Sequence, residues 1–166
     1  KKLMQKHNIP CARSSSFSEY TQAKDYIKQQ TPPIVIKADG LAAGKGVVIA
    51  DSVSQALDAL SGFMEAKTLG VAGERVIIEE HLLGKELSAF AFTDAHTVIP
   101  IVPACDYKRI YDGDQGANTG GMGSYSPPYF YDSTLAETIR ETIMEPMVKV
   151  MHDEGRPYRG VLYGGL

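Results

Sequence analysis

An α+β fold is predicted by three features of the 166-residue sequence. Short β-branched and apolar runs bounded by glycine, proline, serine and aspartate read as strands. Apolar positions recurring at i, i+3, i+4 and i+7 read as amphipathic helices. The two kinds of element are interspersed without internal repeat or low-complexity tract. A chain of this length buries roughly 70% of the surface its unfolded form exposes, enough for a real core.

The elements follow in order. Residues 1–7 suit a helix tail, which must stop before Ile9-Pro10 because the residue preceding proline is pushed out of the helical region. A strand over Ala12–Phe17 follows. Ser18 is a candidate N-cap for a helix carrying Tyr20, Ala23, Tyr26 and Ile27, which ends before Pro32-Pro33. "IVIKA" (34–38) and "GVVIA" (46–50) are strands joined by a glycine-rich turn. Asp51 or Ser52 can cap a helix whose stripe is Val53, Ala56, Leu57, Leu60, Phe63 and Met64. Three more strands are "RVIIEE" (75–80), "ELSAFAF" (86–92) and "TVIPIV" (97–102). Residues 103–132 read as a long loop dense in Gly, Pro, Asp and Asn, and long ordered loops in compact domains usually carry function. Asp132 or Ser133 then caps a helix through Leu135, Ile139 and Ile143, with Pro146 kinking or splitting it. "GVLYGGL" (160–166) reads as a strand that stops in mid-flight, so the sequence reads as a fragment.

Composition narrows the function. No run approaches the ~20 apolar residues of a membrane span, and the first residues lack the apolar core of a signal peptide. The expected location is cytoplasmic. Cys11 and Cys105 are far apart, with no spacing that suggests zinc or a disulfide framework. A formal charge of -3 with mixed signs argues against nucleic acid as a partner and for small molecules.

The turn "KADGLAAGKGVVIA" (37–50) looks like a phosphate loop but matches neither standard pattern. Gly40 and Gly44 are one residue too close for G-x-x-x-x-G-K-[ST], and a strand follows instead of a helix; G-x-G-x-x-G fails after Gly46. What remains is a hairpin tip with Gly40, Gly44, Gly46 and Lys45, whose exposed N–H groups can approach an anion, and Lys37 on the strand before it. Taken alone, the turn reads better as an ordinary glycine-rich hairpin with two solvated lysines. "VIIEEHLLGKELSAF" (76–90) adds Glu79 and Glu80 at a strand end, an apolar link through Leu82, and Glu86 at the next strand. Such a link can offer main-chain groups to an adenine edge, and carboxylates suit an exocyclic amine and a ribose diol.

Together with "PACDYKRIYDGDQGANTGGMGSYSP" (103–127), these stretches resemble the ATP-grasp superfamily and, within it, the phosphoribosylamine–glycine ligases, in the right order over nearly the whole chain. The Asn-Thr-Gly-Gly-Met-Gly run at 118–123 is the most specific marker. The resemblance implies two lobes, each with an antiparallel sheet and helices: a small lobe at 1–80 with the glycine-rich flap, and a larger, incomplete lobe at 81–166. Flanking N- and C-terminal domains would be absent.

By the same resemblance, Lys37 contacts the nucleotide near adenine and the α-phosphate. The flap with Gly40, Gly44, Lys45 and Gly46 covers the phosphates. Glu79 receives the adenine amino group, the main chain of Glu80–Leu82 forms the hinge, and Glu86 binds ribose. Lys45 and Lys108 are catalytic, acting on the transferring phosphoryl group. Asp106, Asn118, Thr119, Gly120, Gly121 and Met122 sit beside the acceptor substrates. Cys105 and Tyr107 stand where the family favours glutamine and histidine, and Ala117 where proline is usual.

The implied reaction joins glycine to 5-phosphoribosylamine through glycyl phosphate, with ATP as phosphoryl donor and Mg2+ (or Mn2+) held by ligands expected beyond Leu166. Two other readings remain open on the sequence. One is an ATP-grasp carboxylate–amine ligase with another acceptor. The other is a non-catalytic nucleotide-binding remnant, and a fragment alone is expected to bind nucleotide at best.

Overall fold

The computed structural model describes residues 1–42 and 46–166, with only the backbone of residues 117 and 118. Two compact units divide the chain: Ala12–Leu83, and Lys1–Cys11 together with Gly84–Leu166. The sequence had drawn its lobes as 1–80 and 81–166. The N-terminal residues group with the later part through charge: the short helix α1 (Lys2–Lys6) is followed by His7, and Lys6 and His7 reach Glu154 at 2.6 and 3.4 Å.

The Ala12–Leu83 unit is a four-stranded antiparallel sheet of β1 (Ser14–Phe17), β2 (Ile34–Ala38), β3 (Val47–Ala50) and β4 (Val76–Glu80), in the order β1-β4-β2-β3. Alternation sends Ile34, Ile36, Val76 and Ile78 to the face covered by α2 (Tyr20–Ile27) and α3 (Val53–Met64). There they pack with Ala23, Ile27, Ala56, Leu60 and Phe63. Each fully buried Ile or Leu of this cluster contributes about 1.5–3 kcal/mol relative to exposure. α3 starts as its sequence implies: the Ser52 side chain accepts from the Gln55 N–H at 3.2 Å, and Gln55 Oε1 accepts from the Asp51 N–H at 2.9 Å. α2 does not use Ser18; its N-cap is Glu19, which makes no side-chain cap hydrogen bond.

The second unit is built on an antiparallel sheet of β10 (Gly160–Gly165), β5 (Ser88–Thr93), β6 (Val98–Asp106) and β9 (Ser124–Tyr125), in that order. Its packed face carries Leu87, Ala89 and Leu162, covered by Leu135, Ile139 and Met144. Its other face exposes Phe92, Ile99, Val161 and Tyr163. The helical cover begins at Asp132, whose carboxylate accepts from the Leu135 N–H at 2.8 Å. It runs as α4 (Ser133–Ile139), a π-helical segment (Arg140–Met144) and α5 (Glu145–Asp153). Pro146 lacks the N–H that would bond Thr142, and its ring crowds that carbonyl, so the turn before it widens rather than ends.

The stretch 103–132, expected as loop, contains the end of β6, a hairpin of β7 (Arg109–Tyr111) and β8 (Gln115–Asn118), and β9. Gly113 and Asp114 turn this hairpin at φ of 71° and 58°, a conformation that glycine and aspartate tolerate best.

Candidate functional site

In the Ala12–Leu83 unit, the candidate side chains Lys37 and Glu79 lie on the sheet face opposite the helices. Lys37 on β2 is directly across from Ile77, and Glu79 on β4 from Val35, so Lys37 and Glu79 are diagonal neighbours on one face. They meet at 2.7 Å, with the Glu79 side chain only 4% exposed against 36% for Lys37. A nearly buried carboxylate paired with a lysine is a strong acceptor, suited to a cation or an N–H donor.

Glu80 behaves differently. Arg13 fixes its carboxylate, through the Arg13 N–H at 2.8 Å and the guanidinium at 2.7 Å, and the Glu80 N–H donates to the Arg13 carbonyl at 3.0 Å. With the Glu80 carboxylate engaged by Arg13, the candidate groups that remain on the link are the main chain of His81 and Leu82. Leu82 and Leu83 there carry exposed apolar side chains. Sequence reasoning missed Arg13, because its partner lies 67 residues away and no local pattern announces it.

The glycine turn divides into what is described and what is not: Gly44 and Lys45 lie outside the described residues. Gly40 and Gly46, expected to approach phosphate, have a packing role in this structure. A Cβ on Gly40 would sit 2.6 Å from the Ala72 Cα, and one on Gly46 would sit 2.7 Å from the Ala42 Cβ. The base of the turn is docked on the 3-10 turn Gly70–Gly73 by Gly40 N–H to Ala72 O at 3.2 Å, Asp39 N–H to Arg75 O at 2.9 Å, and an Arg75–Asp39 ion pair at 3.0 Å.

In the second unit, a β-bulge decides which side chains face the open sheet surface. Ser88 pairs with Ala104 and Phe90 with Ile101, so β6 carries one extra residue between those pairs. Its parity flips there: Ile99 and Ile101 share the open face with Ala104 and Asp106, and Cys105 turns away. Asp106 Oδ2 meets Lys108 Nζ at 2.5 Å. This hydrogen bond, opposed by partial burial and helped by the Asp106 and Glu86 charges, raises the Lys108 ammonium above the usual lysine range. Glu86 is exposed just ahead of β5, and Tyr163 Oη lies 3.4 Å from Ser88 Oγ on the same face.

The backbone of 119–123 is laid along 106–108 by a run of bonds. Thr119 donates both its N–H, at 2.7 Å, and its Oγ1, at 2.9 Å, to the Lys108 carbonyl. The Met122 N–H reaches the Tyr107 carbonyl at 2.8 Å, and the Tyr107 N–H reaches Gly123 O at 2.9 Å. Gly121 has φ +117°, and a Cβ there would come 3.3 Å from Asp106 Oδ2. Asp106, Lys108, Thr119, Gly120, Gly121 and Met122 are therefore gathered in one place; the Asn118 side chain lies outside the described atoms. The atypical Cys105 and Tyr107 gather around Tyr125 instead. Tyr125 pairs with Cys105 across the sheet, stacks 5.5 Å from the Tyr107 ring, and has its hydroxyl pushed up to about 12 chiefly by a hydrogen bond to Cys105.

Among the described residues, no group of three or more His, Cys, Asp or Glu could hold a metal ion, and no helix is long and apolar enough to cross a membrane.

The family model for the phosphoribosylglycinamide synthetase ATP-grasp (A) domain matches residues 1–166. A phosphoribosylamine–glycine ligase of Streptococcus pyogenes serotype M6 is 48% identical over 166 residues, which are 100% of this chain and 39% of that relative. The chloroplastic enzyme of that name from Arabidopsis thaliana is 47% identical over 166 residues, 31% of its length. The crystal structure of phosphoribosylamine–glycine ligase from Thermotoga maritima superposes with a TM-score of 0.91 at 38% identity, covering 99% of this chain and 42% of that one. Biotin carboxylase from Campylobacter jejuni shares the fold, with a TM-score of 0.69 at 18% identity over 100% of this chain and 36% of its own. The chain thus spans about 39% of the length of the bacterial relatives it matches.

Proposed function

From the premise that this chain belongs to the phosphoribosylglycinamide synthetase ATP-grasp (A) domain family and has the α+β ATP-grasp fold, we propose that it forms the nucleotide-handling part of a phosphoribosylamine–glycine ligase. The whole protein would join glycine to 5-phosphoribosylamine at the expense of ATP, giving glycinamide ribonucleotide, ADP and phosphate in purine biosynthesis. The observation that carries this reading is the run of bonds that gathers Asp106, Lys108 and residues 119–122 within a chain matched from end to end.

Each unit is assigned its role separately. In the first, Glu79 takes the adenine amino group, the main chain of His81 and Leu82 pairs with the base edge, and Lys37 reaches the α-phosphate. The turn with Gly44 and Lys45 closes over the phosphates. In the second, Glu86 accepts from the ribose hydroxyls and Lys108 neutralises charge on the γ-phosphoryl group, where charge stabilisation counts most.

The glycine carboxylate oxygen bonds to the γ-phosphorus as the bridging P–O bond to ADP breaks. The ribosylamine nitrogen then attacks the carbonyl carbon of glycyl phosphate. Phosphate leaves with the bonding pair, and the amine loses a proton. A closed turn serves this second step by keeping water from the acyl phosphate. The divalent ion such chemistry uses has no fitting ligand set among the described residues. Small molecules are the partners, and a cytoplasmic location is proposed for the whole protein.

ADP release by the full-length protein tests the reading. It should require both glycine and 5-phosphoribosylamine. Release that is indifferent to glycine would favour an ATP-grasp ligase with another acceptor, and no release at all would favour a nucleotide-binding remnant.

A further inference from the structure

Asp106 and Lys108 neutralise each other, yet both stand where a substrate has to bind. Taking the ligase reading as its basis, we infer that Asp106 is a partner shared in alternation: it holds Lys108 while the phosphate position is empty, and takes the ammonium group of a small amino acid once Lys108 has turned to phosphate. Binding of the nucleotide's phosphates and of the amino acid is thereby coupled through one carboxylate.

The main chain makes this an exchange of side chains alone. Residues 106–108 are pinned by hydrogen bonds from Tyr107 N–H to Gly123, from Met122 N–H to Tyr107, and from Thr119 to Lys108, all between 2.7 and 2.9 Å. What can move is the lysine stem, four carbons with an ammonium whose three donors rotate freely. Lys108 is 39% exposed and Asp106 22%, so the lysine can leave while the carboxylate stays half-buried and in need of a cation. The pair is partly solvated, so parting it costs less than parting a buried pair, yet it leaves the less exposed carboxylate short of a cation. A nucleotide arriving alone must strip Lys108 from Asp106, and an amino acid arriving alone finds Asp106 occupied. Arriving together, they leave every charge paired: lysine with phosphate, carboxylate with ammonium.

The surroundings of Asp106 leave room for a ligand beside its carboxylate. Gly121 presents no side chain where a Cβ would crowd Asp106 Oδ2 at 3.3 Å, and a Cβ on Gly120 would meet nothing within 4 Å. An amino acid whose ammonium occupied the position of Lys108 Nζ would lie along this bare backbone, with its own carboxylate free to face the phosphates. The charge of Glu86, which also favours the Lys108 ammonium, would keep a cation welcome there after the exchange.

The test uses the full-length protein, glycine and the non-hydrolysable analogue AMP-PNP with magnesium, by titration calorimetry. In the native protein, saturating AMP-PNP should tighten glycine binding by about 5- to 150-fold, the usual range of coupling between sites, and adenosine should not. Lys108→Met should abolish that ratio and bind glycine alone more tightly than the native protein does. Asp106→Asn should lose glycine affinity and bind AMP-PNP more tightly, because its lysine is already released. Melting temperatures of both variants within a few degrees of native confirm that folded protein is compared. A native protein that binds both ligands with the same glycine affinity in either condition overturns the exchange and leaves the ligase reading standing. So does a coupling that survives Lys108→Met, or weaker AMP-PNP binding in Asp106→Asn. A native protein that does not bind AMP-PNP overturns both.

Discussion

Gly40→Ala separates two reasons for glycine in the 40–46 turn. If the residue is small so that backbone can approach phosphate, a methyl there should harm nucleotide binding and leave the fold alone. The structure supports the other reason. The new Cβ would fall 2.6 Å from the Ala72 Cα and 2.8 Å from its Cβ, and the first of these is backbone that no rotamer change can move aside. Overpacking of this kind costs about 1–3 kcal/mol. Opening the 3.2 Å bond from Gly40 N–H to Ala72 O adds about 0.5–1.5 kcal/mol. Replacing glycine restricts the unfolded chain and returns about 0.4–1 kcal/mol. The net is a loss of about 2 kcal/mol, or about 4–8 °C in melting temperature for a chain of this size. Gly62→Ala is the control: it lies within α3, where a Cβ meets only Thr68 Oγ1 at 3.9 Å. Better helix propensity should there raise stability by about 0.5–1 kcal/mol. The assay is differential scanning calorimetry with nucleotide affinity measured in parallel. A Gly40→Ala protein that melts with the native one but binds ATP poorly would refute the packing argument.

Two further perturbations read other parts of the molecule. Glu154 has its carboxyl held below its ordinary value of 4.5, chiefly by the hydrogen bond from Lys6 and then that from His7. A group depressed in the folded state contributes stability that is present above its unfolded value and lost as pH falls through the folded one. Glu154→Gln should therefore lower the melting temperature at pH 6 and leave it unchanged near pH 2, and an equal loss at both would deny the ion pair that role. Glu86→Gln should weaken ATP binding, and 2′-deoxy-ATP should lose affinity against the native protein but little more against the variant, since the hydroxyl's partner has already gone. Equal sensitivity of both proteins to the deoxy analogue would place Glu86 away from the ribose.

What the sequence made legible was local. The strand 34–38, the Ser52 and Asp132 caps and the helical stripe from Val53 to Met64 all rest on interactions within a few residues, where side-chain chemistry and backbone geometry are set together. What it hid was made by pairing over distance. The 103–132 stretch is rich in turn formers, yet it forms strands because Arg109–Tyr111 pairs with Gln115–Asn118 and the end of β6 pairs with Ser124–Tyr125. The role of Arg13 depends on Glu80, and the packing role of Gly40 on Ala72.

The bulge in β6 shows how far such a feature reaches into function. Strict alternation from Ile99 and Ile101 would put Cys105 on the open face and turn Asp106 inward. One extra residue between the Ser88–Ala104 and Phe90–Ile101 pairs reverses that, and it brings Asp106 to the face where Lys108 and the charge of Glu86 act. No composition or spacing announces a single inserted residue, since both registers read equally well as a strand. The motif around Asp106 identifies the residue type, but the bulge decides which face of the sheet its carboxylate takes. Shortening β6 by one residue between Ile101 and Ala104 would therefore restore regular pairing and leave Asp106 on the open face, whereas shortening it between Ala104 and Asp106 would keep every residue of the 118–123 run and turn that carboxylate inward.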